Sequence, residues 1–468
     1  MATSVINRLA FRLKRSLFFS LFLIIILSFT LSVFALVNQN HVQFNGIKNY
    51  LQRDDAVQSV QVKKVHQLRL DTSPPKHRKM VQFYPDNQVR KHDIVDHWDT
   101  LIPPTVQAVK ENVSSVSDGV HVFYYAWYGN QKQDGKWYHW NHEYLPNWDK
   151  TDKRVFPQGR HNVSNDDIGS NFYPELGLYS SSDQEVIAAH CKMIRDAHIG
   201  VIVVSWYPPT LSDPNGPAVD QLIPMLLDVA AHYGLKITFH IEPYQDRDPE
   251  NVRENVKYIV STYGSHAAFY RRNGRPLFYI YDSYLSPAKD WKRMLTTIRG
   301  THYDSYFIAL LVEYKHRFSI SEAGFDGFYT YFGSNGFSYG ANWKNWRALQ
   351  SFARKQNLLF IPSLSPGYVD TRIRPWNTQT TRSRRQGAYY DLSWRSFEEL
   401  KGLKIVSITS FNEWHEGTQI EPASKDKRTL DGNYTYQSYS PHSPDFYLLK
   451  TKEWIEKLFI KTLKSNSL

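Results

Sequence analysis

Cysteine is almost missing from this sequence, since Cys191 is the single one among 468 residues. One thiol excludes an intrachain disulfide framework and any metal site that needs several cysteines. Glycine-rich dinucleotide and phosphate loops are also missing, and the scattered Lys and Arg belong to no nucleic-acid-binding motif despite a net charge of +11. We therefore expect no redox or nucleotide cofactor, no obligate metal and no nucleic-acid partner. The thiol itself is expected to pack as a small apolar side chain.

Aromatic residues, by contrast, are abundant. The chain contains 31 Tyr, 26 Phe and 13 Trp, which together make up 15% of its residues. This is more than a core requires, so we expect some of the rings to line a binding surface. Carbohydrate is a ligand that stacks on such rings.

Charge is missing from one long segment, Leu17 to Val37, which is long enough to cross a hydrocarbon layer of about 30 Å as a helix. Basic residues precede it, so the positive-inside rule places the short N-terminus in the cytosol. They are Arg8, Arg12, Lys14 and Arg15. A signal peptide cleaved after Ala35 is the alternative interpretation.

The predicted organisation therefore has four parts. They are a cytosolic tail of residues 1–16, a transmembrane signal anchor of residues 17–37, a luminal stem of residues 38–118 and a catalytic domain of residues 119–468. Glycosylation sequons at Asn112, Asn162 and Asn433 agree with a luminal body.

Short runs rich in β-branched and aromatic residues follow the stem. There are eight: "VHVFYYAWY", "IGVIVVSWY", "KITFHIEPY", "PLFYIYDSY", "YFIALLVE", "GFDGFYTYF", "LLFIPSLSPGY" and "KIVSITSFNEW". They are continuously hydrophobic, as strands of a parallel sheet with both faces buried are. Helical patterns separate most of them, which predicts a (β/α)8 barrel. A doubly wound sheet is the alternative, and the helix after Glu313 is expected to be short.

Capping signals predict where several helices begin and end. Ser182 and Glu185 form a capping box, and Asp248 with Pro249 opens a second helix. Gly264 closes that helix, and the same signature returns with Ser286, Pro287 and Gly300. The buried face of the first helix is predicted to carry Val186, Ala189, Met193 and Ala197.

Rings and carboxylates crowd the ends of the predicted strands, where a barrel of this kind has its active site. A cleft with aromatic walls and carboxylates suits sugars, whose C–H faces stack on rings while their hydroxyls bond to Asp and Glu. The residues at these ends are Tyr125, Trp127, Tyr128, Trp206, Tyr207, His240, Glu242, Tyr244, Tyr281, Asp282, Glu313, Tyr329, Tyr331, Tyr368, Asp370, Asn412, Glu413 and Glu416.

The segment "SFNEWHEGTQIEP", from Ser410 to Pro422, has two interpretations. It is either a solvated loop or helix start, or it supplies an acid and a base. Glu413 and Glu416 on one helical turn would have Cβ atoms about 5–6 Å apart, close to the spacing of retaining glycosidases. Glu421 is expected to be structural.

Several segments resemble glycoside hydrolase family 99. They are "FYYAWYGN", "WNH", "PQGRHN", "FYPELG", "SWYPP", "TFHIEPY", "YDSY", "GFDG", "IRPWNTQ" and "SFNEWHEGTQIE". The resemblance covers about Val120 to the C-terminus. It implies that the domain is a (β/α)8 barrel and that the protein resides in the Golgi. It also implies an endo-acting, retaining hydrolase that releases glucosylated mannose from glucose-capped high-mannose N-glycans.

The resemblance also implies roles for particular residues. Glu413 would be a general base that deprotonates the 2-hydroxyl of the sugar, and Glu416 the general acid and base. The 2-oxygen would attack the anomeric carbon to give a 1,2-anhydro sugar, which water opens with retention. Sugar binding is assigned to Tyr125, Trp127, Trp206, Tyr207, His240, Glu242, Tyr244, Tyr281, Asp282, Glu313, Tyr329, Tyr368 and Asn412.

Two other functions stay open from sequence. A type II glycosyltransferase would use the Asp-x-Asp motif from Asp246 to Asp248, although Asp248 is also a predicted helix cap. A lectin-like paralogue without activity would use the same aromatic cleft. His139 and His142 in "HWNH" lack a full ligand set for a metal, so we expect them to be polar contacts near the cleft.

Overall fold

A computed structural model describes residues 116–460. The predicted cytosolic tail, the membrane span, nearly all of the stem and Asn112 lie outside the described residues. Within residues 116–460, no helix combines the length and the apolar character that crossing a bilayer requires. Residues 116–147 and 154–460 form one compact unit. Residues 148–153 form a separate short turn, in which the Asp149 carboxylate accepts hydrogen bonds from Thr151.

The compact unit is built on a sheet whose main strands coincide with the eight predicted runs. The strands are β1 (Ser117–Tyr124), β2 (Ile199–Trp206), β3 (Lys236–Ile241), β4 (Arg271–Arg272), β5 (Arg275–Ile280), β6 (Tyr306–Leu310), β7 (Gly327–Tyr329), β8 (Leu359–Ile361), β9 (Ser363–Leu364) and β10 (Val406–Ile408).

All pairings in this sheet are parallel except that of β4 with β5. The order is β8-β7-β6-β5-β3-β2-β1-β10-β9, so the two ends of the sheet are consecutive in the chain. Only Pro362 separates them, because proline has no N–H to continue the ladder. Its carbonyl accepts a hydrogen bond from the Ser407 N–H at 3.0 Å. The sheet is thus a nearly closed barrel, and the predicted parallel barrel is confirmed.

Helices alternate with most of the strands. They are α1 (Gln131–Asp134), α2 (Gln184–Asp196), α3 (Ile223–His232), α4 (Pro249–Tyr263), α5 (Ala288–Ile298), α6 (His316–Ala323), α7 (Trp346–Gln356), α8 (Ala388–Glu398) and α9 (Phe446–Ile455). The helix after Glu313, α6, has only 8 residues, as predicted.

Three helix starts test the capping predictions. In α4 the Asp248 carboxylate accepts from the Asn251 N–H at 2.8 Å and Pro249 stands in the first turn, as predicted. In α2 the cap is Asp183 and not Ser182, whose hydroxyl instead donates to Asp134 at 2.9 Å. The third start, at α5, was placed one residue early: the helix begins after Pro287, and no side chain caps it.

The buried face of α2 also differs from the prediction. Ala197 is buried as predicted, but Val186, Ala189 and Met193 are only partly buried. Within the helix the residues that face the core are Ile187, His190, Cys191 and Ile194. The burial of Cys191 is as expected, and it raises the pKa of this thiol to about 12. His190 can face inward because the buried Glu421 carboxylate lies 3.2 Å from its Nε2.

Candidate active site

The segment that follows β10 is buried and is not a solvated loop. Glu413 exposes 4% of its surface, His415 3% and Glu421 none. The Ser410 N–H bonds to the Thr418 carbonyl at 3.0 Å, so the chain folds back on itself as a turn and does not start a helix. Both parts of the solvated interpretation are therefore wrong. Burying this many carboxylates requires partners or neutralisation.

Glu413 is held by backbone contacts of its own turn. Its N–H donates to the Ser410 hydroxyl at 2.8 Å, and its Oε1 accepts from the His415 N–H at 3.1 Å. Burial raises the pKa of Glu413 well above its ordinary value, and the neighbouring Glu416 raises it further. Both effects disfavour the ionised form of the Glu413 carboxyl group.

Glu416 lies at the more open side of the pair, with 21% of its side chain exposed. Its Oε1 is 3.5 Å from the Tyr368 hydroxyl and 3.6 Å from Arg374 Nη1. Burial raises the pKa of Glu416 to about 6, with Arg374 lowering it and Asp370 raising it. Gly417 has φ +60°, and a Cβ there would lie 2.6 Å from Val369, so only glycine fits behind Glu416.

Asp370 and Arg374 complete this side of the site. Asp370 is fully buried, and its Oδ2 accepts from Tyr368 at 3.0 Å, Asn377 at 2.8 Å and Arg374 at 3.2 Å. The single guanidinium of Arg374 thus lies close to two carboxylates, so carboxylates outnumber cations on this side of the site.

A cluster of rings forms the floor beneath the glutamates. The hydroxyls of Tyr125 and Tyr331 form a short hydrogen bond, and Tyr331 stacks on His240 with ring centroids 5.5 Å apart. His240 lies 3.0 Å from the Glu242 carboxylate and 2.6 Å from the Tyr329 hydroxyl. Burial raises the pKa of Tyr125 well above its ordinary value, followed by the charges of Glu242, Glu413 and Glu416. The charges of these three carboxylates therefore all act on the Tyr125 hydroxyl.

Histidines form a second wall. His139 stacks on Trp127 at 4.2 Å, approaches His415 Nε2 at 3.3 Å and lies 3.2 Å from Asp213. Burial lowers the pKa of His415 well below its ordinary value, and lowers that of the adjacent His142 to about 3. Both "HWNH" histidines thus contact His415 of the turn that carries the glutamates, and their place at a sugar-binding cleft stays a prediction.

Three more predicted binding residues follow strands β2 and β5. Tyr207 is buried, and burial followed by the charge of Glu242 raises its pKa well above its ordinary value. Tyr281 packs on His240 and Tyr331 with ring centroids 5.1 Å apart in each pair. Asp282 follows it with φ +47° and accepts from the Tyr284 hydroxyl at 2.7 Å.

Several predicted binding residues have other partners. Trp206 is fully buried and donates to Asp220 at 2.8 Å, and the Tyr244 hydroxyl bonds to Asn251 and Asn255 of α4. Glu313 pairs with Lys315 at 2.9 Å. Tyr329 is fully buried inside the barrel.

Asn412 is also fully buried, and its amide holds the end of β1. Its Oδ1 accepts from the Tyr125 N–H at 2.8 Å and its Nδ2 donates to the Tyr125 carbonyl at 2.9 Å. Asn412 therefore positions Tyr125, and this geometry favours that function over contact with a sugar.

Glu421 is structural, as expected. Its Oε2 accepts from Tyr179 at 2.8 Å and from the Trp414 indole at 3.0 Å, while its Oε1 faces His190. This anchors Trp414, which separates Glu413 from His415 and Glu416 in the chain.

The Asp-x-Asp motif serves the fold. Asp248 caps α4, and the intervening Arg247 donates to the carbonyls of Tyr281 at 2.6 Å and Asp282 at 3.0 Å. Among residues 116–460, no group of three or more His, Cys, Asp or Glu is arranged to hold a metal ion.

Sequence reasoning missed three contributors to the site. They are Arg374, Asp213 and His415. Arg374 and His415 lie within the motifs "IRPWNTQ" and "SFNEWHEGTQIE", which was the available signal. Asp213 lies in a loop without a chemical motif, and only the fold brings it to His139.

A parallel barrel with coupled glutamates, other carboxylates and aromatic rings at the carboxyl ends of its strands is typical of the barrel-type glycoside hydrolases. The sequence profile of the family described as glycosyl hydrolase family 99 matches residues 115–460. The chain belongs to this family and is a glycoside hydrolase.

Individual relatives agree with this membership. The chain is 51% identical to glycoprotein endo-alpha-1,2-mannosidase of Rattus norvegicus over 80% of this chain and 82% of the relative. It is 49% identical to the glycoprotein endo-alpha-1,2-mannosidase-like protein of Homo sapiens, over 77% of this chain and 78% of the relative. The solved GH99 endo-alpha-mannosidase of Bacteroides thetaiotaomicron superposes with a TM-score of 0.68 at 44% identity, covering 75% of this chain and 99% of that one.

Proposed function

We propose that this protein is an endo-acting, retaining α-1,2-mannosidase of N-glycans. It would cleave the bond between glucose-substituted mannose and the rest of a high-mannose glycan, and would release a saccharide of one to three glucoses on one mannose. The observation that carries the proposal is that the charge of Glu416 raises the pKa of the buried Glu413, in a chain of family 99.

In the proposed first step, Glu413 takes the proton of the 2-hydroxyl on the mannose that carries glucose. The 2-oxygen bonds to the anomeric carbon while the bond to the departing glycan breaks, and Glu416 gives its proton to the departing oxygen. The product of this step is a 1,2-anhydro sugar.

In the second step Glu416, now ionised, takes a proton from water. The water oxygen bonds to the anomeric carbon, the anhydro ring opens, and Glu413 returns its proton to the 2-oxygen. Two inversions at one carbon give net retention. A pKa of about 6 at Glu416 suits a group that must act as acid and then as base near neutrality.

Burial and the neighbouring Glu416 raise the pKa of Glu413 well above its ordinary value, which disfavours the ionised form that the first step requires. Bound substrate would offset this effect. A 2-hydroxyl donating to Glu413 favours its ionised form, and a bridging oxygen accepting from Glu416 favours the protonated form of that group. The proposed roles therefore apply to the complex with substrate.

Rings and polar groups around the pair would bind the sugars. We assign Trp127 and Tyr207 to stacking and Glu242, Tyr281 and Asp282 to the walls of the cleft. Tyr125, His240 and Tyr368 would orient the reacting groups from below and beside them. The remaining predicted residues, which are Trp206, Tyr244, Glu313, Tyr329 and Asn412, would act by holding these in place.

The experiment for substrate and bond is direct. The full-length chain is incubated with glucosylated and with unglucosylated high-mannose N-glycans, and the released saccharide is identified by mass. We expect a glucosylated mannose from the first glycan and no release from the second. Release of single mannose would indicate an exo-acting enzyme, and binding without release a lectin-like paralogue.

The proposed setting is the Golgi membrane, with residues 1–16 in the cytosol, residues 17–37 across the bilayer and the rest in the lumen. The basic cluster before the apolar segment supports this topology, and the sequons at Asn162 and Asn433 are exposed, as glycan acceptors must be. An N-terminal tag should be digested by protease added to intact vesicles. Protection of that tag would contradict the topology.

A further inference from the structure

A second cleft, of about 580 Å³, adjoins the catalytic turn. Tyr368 and Gly417 form part of its wall, so it shares one side chain and one backbone segment with the surroundings of Glu416. Arg382, Arg384 and Arg385 line it as well. No Asp or Glu lines this cleft within residues 116–460, whereas carboxylates dominate the catalytic site.

Arg384 is the deepest of the three arginines. Its guanidinium lies over the rings of Phe172, Tyr439 and Tyr447 at 4.5–4.9 Å, and it donates to the carbonyls of Gly417 and Gln419 at 2.9 and 2.7 Å. These acceptors are neutral, so the hydrogen bonds satisfy N–H groups without cancelling the charge. Arg384 is a structural residue that also leaves a full positive charge at the cleft.

Arg382 is bound in the same manner. It donates to the carbonyls of Asn335, Gln379 and Thr381 at 2.9–3.2 Å. In the described part of the chain none of these three arginines forms an ion pair. By contrast, Arg275, Arg299, Arg374 and Lys450 each lie 2.7–3.2 Å from a carboxylate. The cleft therefore concentrates uncompensated positive charge.

Arg385 supplies an available cation. Its side chain is exposed, and its guanidinium lies 6.0 Å from the centre of the Tyr389 ring. Its backbone and that of Gln386 are both left-handed, with φ +46° and +51°. These conformations cost energy in residues other than glycine, and they persist only where the surrounding fold holds them.

Hydroxyl groups add further donors. The Ser383 Oγ accepts from the Arg385 N–H at 3.4 Å, and the Ser438 Oγ accepts from the Ser440 N–H at 3.3 Å. Because each oxygen accepts a backbone proton, its own O–H remains to donate. The cleft thus combines three guanidinium groups with hydroxyl donors.

We propose that this cleft binds a phosphate monoester. Guanidinium forks match phosphate oxygens in geometry and charge, and hydroxyl donors complete the coordination of a tetrahedral oxyanion. A neutral sugar carries no charge to match the three guanidinium groups, whereas a phosphate monoester does. The further statement that this monoester is carried by a sugar of the bound glycan rests on the proposed function.

The test measures binding, so it does not depend on hydrolysis. Mannose 6-phosphate, mannose and inorganic phosphate are titrated calorimetrically into the full-length chain. We expect both phosphates to bind and mannose not to bind at this cleft. Arg385→Gln should weaken phosphate binding by roughly tenfold, the scale of one lost hydrogen bond to a charged group.

Arg395→Gln is the matched control, because it removes one exposed arginine from α8, the helix that follows the cleft. It should leave phosphate affinity unchanged. Arg382→Lys retains a charge and should bind more tightly than Arg382→Gln; if the latter fails to fold, Arg385→Gln alone carries the test. Equal phosphate affinity in the parent chain, Arg385→Gln and Arg395→Gln would overturn the proposal.

Hydrolysis separates this proposal from the proposed function. Arg385→Gln should cleave a neutral glucosylated glycan with unchanged kcat and KM, and should lose any advantage that the parent shows on the same glycan carrying a phosphate monoester. Phosphate binding in a chain without hydrolytic activity would refute only the proposed function. Hydrolysis without arginine-dependent phosphate binding would refute only the proposal that the second cleft binds a phosphate monoester.

Discussion

The two ends of the barrel differ in how their charged side chains are arranged. Near the amino-terminal ends of β5 to β7, Arg275 and Arg299 face Asp304 and Asp326 at 2.7–3.4 Å. At the carboxyl end, the charge of Glu416 raises the pKa of the buried Glu413, and Arg374 offsets this only in part.

The pKa values respond accordingly. Burial alone would raise the pKa of Asp304, but hydrogen bonds from Arg299 and Gly300 and the charge of Arg275 lower it. Burial and the second carboxylate raise the pKa of Glu413, and burial outweighs Arg374 at Glu416. Matched charges stabilise the fold, whereas crowded acids keep a proton available near neutral pH.

The largest expected effect is on catalysis. Glu413→Gln and Glu416→Gln preserve side-chain shape and remove the proposed base and the proposed acid. Each should lower the hydrolysis rate by roughly 10²-fold or more, the scale of general acid–base catalysis. Single-turnover rates on a glucosylated N-glycan provide the measurement. Glycan affinity should be retained, and an unchanged rate in either variant would remove that residue from the mechanism.

The amino-terminal end should respond through stability. Asp326→Asn removes the carboxylate that accepts from Arg299 at 2.7 Å and from the Phe307 N–H at 2.9 Å. We expect the free energy of unfolding to fall by about 2 kcal/mol, because hydrogen bonds to charged groups are lost. Urea unfolding measures it. Turnover per folded molecule should not change, and a selective loss of kcat would contradict a purely structural end.

At the active site, removing a carboxylate should raise the free energy of unfolding instead of lowering it. The pKa of Glu416 rises from 4.5 to about 6 on folding, so its unfolded form ionises first and native stability is lost as pH rises between these values. At about 1.4 kcal/mol per unit, Glu416→Gln should add about 1–2 kcal/mol at pH 7.5. The gain should vanish at pH 4, where the parent is protonated. A less stable variant at pH 7.5 would contradict the crowded-acid account.

The smallest effect is expected at an exposed pair. Arg347 and Glu399 are 2.9 Å apart, but their side chains are 75% and 59% exposed. Arg347→Gln should change the free energy of unfolding by less than about 0.5 kcal/mol, because solvent screens such pairs. Comparing the loss of unfolding free energy in Arg347→Gln with that in Asp326→Asn separates the effect of burial from the effect of losing a charge. Equal losses in the two variants would show that burial is not the deciding factor.

Much of the barrel was predictable because its signals are local. Continuous apolar runs marked each main strand, and Asp248 with Pro249 marked the start of α4. The β4–β5 hairpin was missed although "NG" at Asn273–Gly274, with φ +47° and +78°, is a strong turn signal.

The errors depended on long-range contacts. Two sets of α2 residues fit helical spacing, and the buried one was selected by Glu421, 231 residues away from His190. Trp206 was assigned to the cleft because it ends a strand, yet its indole bonds to Asp220, which local sequence does not show. The glutamate pair could be proposed from sequence because both members lie in one short segment, and its catalytic role stays a prediction.

The central claim is that Glu413 acts on the sugar's own 2-hydroxyl. It is tested by measuring the cost of Glu413→Gln with two glycans that differ only in whether the reacting mannose has a 2-hydroxyl or a hydrogen at that carbon. The account predicts a loss of roughly 10²-fold or more with the hydroxyl and no further loss from the mutation with the deoxy sugar. Equal losses with both glycans, accompanied by a glycosyl ester on Glu413, would instead identify an ordinary covalent nucleophile and contradict the account.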